Sequence, residues 1–431
     1  MSDLTFTKVE KSSAGERITL TILVWVFWII SIVWLVALAY NVFSIRSAPR
    51  LPRNVSATKS AHATARNSPA GKGIAPLVSI LVPARNEAAR VLAQSVGSML
   101  AQDYPNFEVI AVDDRSTDNT LALLEDIARS DPRLTVVRGR PLPDGWIGKP
   151  WALEQARRKS RGQWLLATDA DIIFHPTVLS RAMAVAEAEA YDALTLAPGI
   201  STDSFWAKLV MPVAGWMIML VYPAWRVNNP DSEIALGVGG FFLMRRAAHE
   251  QVGGYEAIRA DVTDDLNTAR LLKRAGFRLH LAAAPTLLRT PMYASLKELF
   301  EGFGKNAFVG SGSSAPRAVL SGVLDLAFTV APPVTVVVAL AIVLVEGSRN
   351  LLPLAAAALA AYLSLVAAFA PVYKETRTPI NFALLGFLAH AVMVMILFHS
   401  TWRVMTGRGV VWKSRSLYRT AGRDSTSDTR D

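Results

Sequence analysis

Two short acidic motifs and one lysine turn carry most of the chemistry legible in this chain. Residues 162–176 read GQWLLATDADIIFHP. The apolar run Trp164-Leu165-Leu166-Ala167 has the length of a buried strand, and it ends in Thr168-Asp169-Ala170-Asp171. Carboxylates two residues apart project to the same side of an extended segment. At the C-terminal end of a strand they face the crevice where open α/β sheets bind ligands. Paired oxygen ligands, completed by waters and substrate phosphates, suit Mg²⁺ or Mn²⁺. Taken alone, the pair reads more readily as an ordinary strand-to-loop turn, because Asp is common there. The second motif, Thr263-Asp264-Asp265, opens a helix carrying Leu266, Ala269, Leu272 and Lys273. Alone, acids in a first helical turn need do no more than complement the helix dipole.

The elements around these motifs alternate at short spacing. Residues 77–83 read as a buried strand, followed by Ala84-Arg85-Asn86-Glu87 at a strand-to-helix turn. A helix with Leu92, Val96, Met99 and Leu100 on one face comes next. The strand 107–112 closes in Asp113-Asp114, and a helix at 118–129 leads to a strand at 133–138. The turn PLPDGWIGKP carries Lys149 into a helix at 150–160. This order predicts a parallel, doubly wound α/β domain. Acids at successive strand ends, Asp113 and Asp114 and then Asp169 and Asp171, fit a site for a metal and a nucleotide. Neither a dinucleotide fingerprint nor a Walker loop is present. Gly237-Val238-Gly239-Gly240 precedes a further apolar strand and allows either a close ligand approach or a plain tight turn.

The rest of the chain points to a membrane. Residues 18–43 contain no charge and are long enough to span a bilayer, after an N-terminal tail at 1–17. Residues 44–76 contain no acid and carry Arg46, Arg50, Arg53, Lys59, Arg66 and Lys72, which predicts a flexible cytoplasmic linker against anionic phospholipid. The excess of ten basic residues is assigned to that surface rather than to nucleic acid. Residues 205–226 are strongly apolar; a full crossing there separates Asp171 from Asp265, so the stretch is read as interfacial. An amphipathic helix at 293–308 leads into membrane segments within 319–399 and a basic tail at 400–431. If all three C-terminal stretches cross, the basic tail lies outside, against the positive-inside rule. The stretch 319–345, with Asp325 and the Pro332-Pro333 break, is therefore the one expected to be re-entrant. With no cysteine, the chain has no disulfide, Cys-zinc site or thiol catalysis.

The ordered set convinces where no single motif does. Val82-Pro83-Ala84-Arg85-Asn86-Glu87, the stretch 112–119, Gly148-Lys149, Asp169-Ala170-Asp171, Gly239-Gly240 and Thr263-Asp264-Asp265 occur in one chain. Residues 77–310 resemble the family 2 inverting glycosyltransferases of the GT-A (Rossmann-like) fold. Within that family, PLPDGWIGKPWAL (141–153), TDADI (168–172), YPAWRVNNP (222–230) and GGYEAIRADVTDD (253–265) resemble the bacterial hopene-associated glycosyltransferases. The single N-terminal helix, the C-terminal helices and the WKSRSLY stretch (412–418) are similar to ceramide glucosyltransferases.

The resemblance implies a nucleotide-sugar donor, usually a UDP-sugar, and a membrane lipid hydroxyl as acceptor. It implies that Pro83, Ala84, Arg85, Glu87, Asp113 and Asp114 hold base and ribose, and that Lys149 meets a phosphate or the base edge. Asp169 and Asp171 then hold a divalent metal, Mg²⁺ or Mn²⁺, against the diphosphate. Asp265 becomes the base, with Asp264 beside it, and Gly239, Gly240 and Lys305 lie on the acceptor side. It further implies a multi-pass protein of the bacterial cytoplasmic membrane with its catalytic domain inside. GFGKN (302–306) stands where processive synthases carry Gln-x-x-Arg-Trp, which disfavours a polysaccharide synthase. The apolar insert weighs against a polyprenyl-phosphate sugar synthase. A membrane-bound nucleotidyltransferase and an inactive scaffold or transporter are the rivals from other classes.

Overall fold

The computed structural model describes residues 3–52, 75–89, 91–201, 203–291, 293–347, 349–408, 410–412 and 415–417, with some side chains among them left undescribed. The chain divides into two compact units. One consists of Ser47–Ser201 with Ile218–Met292, and the other of Met1–Arg46, Thr202–Met217 and Tyr293–Asp431.

In chain order the elements are α1 (Asp3–Ser47), β1 (Val78–Ala84), α2 (Leu92–Leu100), β2 (Phe107–Asp113), α3 (Thr120–Ser130) and β3 (Leu134–Arg138). Then come α4 (Gly148–Lys159), β4 (Trp164–Ala167), β5 (Ile173–Phe174), α5 (Val178–Ala188) and β6 (Ala193–Ser201). They are followed by α6 (Phe205–Val221), α7 (Ala224–Val227), β7 (Phe242–Arg245), α8 (Arg246–Gln251), α9 (Asp264–Arg274) and β8 (Leu279–Pro291). The C-terminal helices are α10 (Leu296–Gly310), α11 (Ala315–Thr329), α12 (Ala331–Glu346), α13 (Leu352–Glu375) and α14 (Gly386–Met405). A short hairpin of β9 (Val410–Trp412) and β10 (Arg415–Leu417) follows.

The first unit is a three-layer α/β domain built on an eight-stranded sheet of order β3-β2-β1-β4-β7-β6-β8-β5. The strand period of two sorts its side chains between two cores. Val78, Ile80 and Val82 of β1 pack with Leu92, Val96 and Met99 of α2. Leu81 packs on the other face with Ala152, Leu153 and Ala156 of α4. Each such fully buried aliphatic side chain contributes about 1.5–3 kcal/mol. Strands β3, β2, β1 and β4 are parallel, as the alternation predicts. Beyond β4 the sheet is mixed rather than wholly parallel, because β7 runs antiparallel to both β4 and β6. No helical crossover of ordinary length separates β6 from β7; the apolar stretch does, and it lets the chain return in the opposite direction. Since β6 and β7 are sheet neighbours, the stretch between them leaves and rejoins the sheet on adjacent strands.

The second unit is helical. Helices spanning Gly15–Ser47, Phe205–Val227, Arg349–Glu375 and Ile380–Met405 are long and apolar enough to cross a membrane. Helices α11 and α12 together also qualify, bent by 48° at their break. Several polar groups in this unit are paired. Trp34 Nε1 donates to Phe328 O at 3.0 Å, Trp216 Nε1 to Asn41 Oδ1 at 2.7 Å, and Asn41 Nδ2 to Ala368 O at 2.8 Å. His390 Nδ1 lies 2.9 Å from Asp325 Oδ1. Groups of this kind must find partners inside the protein where no water reaches them.

The basic linker assigned to anionic phospholipid lies, from 53 to 74, outside the described residues, as does most of the basic tail.

Candidate functional site

The acidic motifs and the lysine converge on one cavity of the α/β unit. Its lining includes Lys149, Thr168, Gly239, Asp264, Asp265, Tyr255 and Thr268. Each is delivered by an element whose placement follows from its sequence. Strand β4 is held between β1 and β7, and its ladder continues into the loop beyond it. Thr168 N donates to Leu81 O at 3.1 Å, and Asp169 N to Gly239 O at 3.0 Å. Thr168 Oγ1 donates to Gly240 O at 2.9 Å. Asp169 therefore emerges beside the glycine pair, and Asp171 stands half-buried in the turn after it.

Lys149 sits in the first turn of α4, where a cation opposes the helix dipole. Carboxylates reverse that disadvantage. Its ammonium is 2.8 Å from Asp169 Oδ1 and 3.2 Å from Asp264 Oδ1. Burial works against its charge, but Asp169, Asp264 and Asp265 together hold its pKa well above the usual lysine value. Asp264 is buried in the first turn of α9, and that burial pushes its carboxyl up from 3.8 to about 6. Lys149 opposes the shift, while Asp265 and Asp169 add to it.

Asp265 is held differently. Its Oδ2 accepts from Gly239 N at 2.8 Å and its Oδ1 from Leu266 N at 2.8 Å. A Cβ on Gly239 would stand 3.0 Å from Asp169 Oδ2, 3.2 Å from Lys149 Nζ and 3.3 Å from Asp265 Oδ2. Only the bare backbone fits between these charged ends without displacing them. Gly240 instead turns toward the core, where a Cβ would meet Ile172 at 3.2 Å.

The other site residues gather at the neighbouring strand ends. Pro83 and Ala84 close β1, and Asp113 closes β2, with Asp114 one residue on. Asn86 and Arg115 both take positive φ, 50° and 55°, in the turns after these strands. The turns are braced together. Arg85 donates to Asp114 O at 2.7 Å and Arg115 O at 2.9 Å, while Thr117 N donates to Asn86 Oδ1 at 2.9 Å. Glu87 is buried behind them, its amide bonded to Thr120 Oγ1 at 2.8 Å. Asp113 Oδ2 accepts from Ser116 N at 3.3 Å, and its buried Oδ1 has no hydrogen-bond donor among the described residues. Lys305 lies on α10 in the helical unit, and its side chain is outside those described.

The donor set suits a hard divalent cation. Asp169 and Asp171 offer carboxylate oxygens after a strand end, Asp169 beside Gly239. Among the described residues no group of three or more His, Asp or Glu is arranged to hold a metal ion unaided.

Tyr255 and Thr168 also line the cavity, each named in the sequence only as part of a longer motif and given no role there. Tyr255 falls within the GGYEAIRADVTDD stretch, after Gly253 and Gly254 with φ of 90° and 60°. That glycine pair was the available signal for a tightly aimed aromatic. The strand β8, thirteen residues long, also went unread.

Known proteins share part of this chain. The profile of "Glycosyl transferase family 2" matches residues 79–253. The chain is similar to the beta-monoglucosyldiacylglycerol synthase of Nostoc sp., 30% identical over 216 residues, 49% of this chain and 42% of that protein. It is also similar to an N-acetylglucosaminyltransferase of Mesorhizobium japonicum, 27% identical over 235 residues, 52% of this chain and 54% of that one. The matched stretch thus spans about half the length of these curated relatives or less. Among solved structures, the mannosyltransferase PcManGT from Pyrobaculum calidifontis, in complex with GDP-Man and Mn²⁺, aligns at a TM-score of 0.45 and 22% identity, covering 86% of this chain and 99% of that one. Residues 79–253 are thus similar to the family 2 glycosyl transferases, and the chain is similar to these glycosyltransferases over about half its length.

Proposed function

We propose that the protein is an inverting glycosyltransferase that moves one sugar from a nucleotide-sugar, of the UDP type, to the hydroxyl of a membrane lipid. The observation that carries this reading is the meeting of the two acidic motifs at one lysine. Lys149 bridges Asp169 and Asp264, while Asp265 is fixed to Gly239 in the same cavity. The synthase name of the Nostoc relative supports a glycolipid product. The apolar helices support an acceptor that arrives from the bilayer.

The braced turns after β1 and β2 receive the base and ribose. The buried, unbonded Asp113 Oδ1 supplies an acceptor for a base N–H. Asp169 and Asp171 hold a divalent cation, Mg²⁺ or Mn²⁺, which when bound neutralises charge developing on the leaving diphosphate. Lys149, a donor of three hydrogen bonds, turns from its carboxylates toward that diphosphate. Inversion is a single displacement. The acceptor oxygen attacks the anomeric carbon, the bond to the diphosphate oxygen breaks, and Asp265 takes the hydroxyl proton. The two backbone amides on Asp265 orient its carboxylate for that transfer.

The apolar stretch 205–226 serves as an interfacial entry for the lipid, on the cytoplasmic face of a bacterial inner membrane. The bent α11–α12 pair is read as a re-entrant loop rather than a broken span. Purified protein in nanodiscs, incubated with a panel of nucleotide-sugars and extracted lipids, tests the reading by release of nucleoside diphosphate. A single glycolipid made only without chelator is the expected product. A polymer ladder, a sugar phosphate or pyrophosphate release instead replaces it with a rival chemistry.

A further inference from the structure

We infer that Tyr255 is a positioning residue: its buried hydroxyl takes over the Asp264 carboxylate when Lys149 turns to the donor's diphosphate. The inference rests on the reading of the cavity as a nucleotide-sugar site.

Asp264 is only 6% exposed, and its one ion pair among the described residues is with Lys149 at 3.2 Å. Lys149 is shared with Asp169, which it holds more closely at 2.8 Å. When the ammonium leaves for an incoming phosphate, Asp264 is left as a buried carboxylate without a partner. Breaking a buried pair in this way is strongly unfavourable unless another donor replaces the first. Tyr255 offers that donor. It is 2% exposed and lines the same cavity as Asp264 and Lys149. Its hydroxyl has no hydrogen-bond partner among the described residues. Burial first, and then the Asp264 charge, raises the phenol pKa, so the hydroxyl keeps its proton to donate.

The backbone around Tyr255 is shaped to hold it there. Gly253 and Gly254 take φ of 90° and 60° and start the turn Gly254–Ile258. The His249 ring packs on the Tyr255 ring with centroids 4.4 Å apart. A Cβ on Gly254 would come within 3.3 Å of His249 Cε1. At the far end of the turn, Ile147 N donates to Arg259 O at 2.9 Å, which ties it to the start of the lysine helix. An unbonded buried hydroxyl costs stability in the state seen here. Its use lies in the state where Lys149 has moved.

The test is Tyr255→Phe in the full-length protein in nanodiscs, which removes the hydroxyl and keeps the ring. The probes are UDP-glucose, UDP-galactose, UDP-N-acetylglucosamine and GDP-mannose with Mn²⁺, titrated for Kd and then for turnover. The resting state loses no hydrogen bond, so the thermal midpoint stays level or rises. The Kd of whichever donor binds rises about tenfold to a hundredfold, the value of one hydrogen bond to a buried charge. Turnover at saturating donor changes less than Kd. In an Asp264→Asn background, the same Tyr255→Phe change adds little, because no carboxylate needs the hydroxyl. Wild type that binds a donor, with Tyr255→Phe binding it equally well, overturns the exchange alone. So does a Tyr255→Phe penalty that persists undiminished in Asp264→Asn. Wild type that binds none of the four donors overturns the nucleotide-sugar reading, and the exchange falls with it.

Discussion

The backbone amide of Gly239 donates to Asp265 Oδ2 at 2.8 Å, so the glycine turn before β7 and the first turn of α9 act as one piece. The same turn returns its carbonyl to Asp169 N at 3.0 Å. Three segments distant in sequence are thereby held to a common geometry. Gly239→Ala drives a methyl between Asp169, Lys149 and Asp265, all within 3.3 Å of its Cβ. The neighbours are side-chain ends, so the fold tolerates the change. Misplacement of reacting groups by about 1 Å costs roughly a hundredfold in rate. Thermal unfolding near wild type with turnover down by about that factor is the expected pair of results.

Gly237→Ala separates the two effects. Its Cβ would fall 2.8 Å from Asp265 C and 2.9 Å from the Phe242 ring, and closer still to Asp265 O. These are backbone and core atoms that cannot swing aside. A loss of about 1–3 kcal/mol in stability accompanies the loss of activity. Chemical denaturation in detergent reads it.

Lys149→Ala leaves Asp264 buried without its cation. Lys149 is itself 35% exposed along its side chain, so the cost is discounted to about 1–2 kcal/mol. The carboxyl of Asp264 also rises further, because the charge that held it down is gone. Donor binding should fall far more than stability does, and isothermal titration against a nucleotide-sugar measures that difference.

Two buried groups near Tyr255 titrate in opposite senses. The Asp264 carboxyl is raised to about 6, so the folded state binds its proton more tightly than the unfolded chain. Its contribution is present below pH 4 and is lost as pH rises through about 6. His249 is lowered to about 4, by burial first and then by the Arg157 charge. Its contribution is present above pH 6.5 and is lost as pH falls through about 4. Each effect is of order 3 kcal/mol at most. Against wild type, Asp264→Asn should give stability that climbs more steeply between pH 4 and 6, and His249→Phe stability that falls more steeply. Parallel thermal-shift profiles for all three proteins would falsify the assignment.

Much of this site was legible in the sequence because it rests on strand ends. The run Trp164–Ala167 is a four-residue strand, every residue of it buried, so the acids that follow are delivered to the sheet edge. Asp113 is legible for the same reason. The partnership of Lys149 with Asp264 was not, because it joins two helix starts whose approach depends on the order of β4 and β7 in the sheet. The antiparallel β7 was hidden too. A short apolar run states that a strand exists but not which way it points. Tyr255 is a buried core aromatic whose unbonded hydroxyl no sequence pattern announces.

Strands β6 and β7 pair through Ala193–Met244 and Thr195–Phe242, and the whole apolar excursion lies between them. Its two ends therefore leave and rejoin the domain on adjacent strands. A segment with coincident ends is a cassette. Its C-terminal end is tied to the helix that carries Asp265, where Lys273 Nζ donates to Arg226 O at 3.1 Å and Val227 O at 2.6 Å, so the part free to vary is the one before those carbonyls. Under the proposed function, acceptor choice then rests on a part of the chain separate from the carboxylates around Lys149.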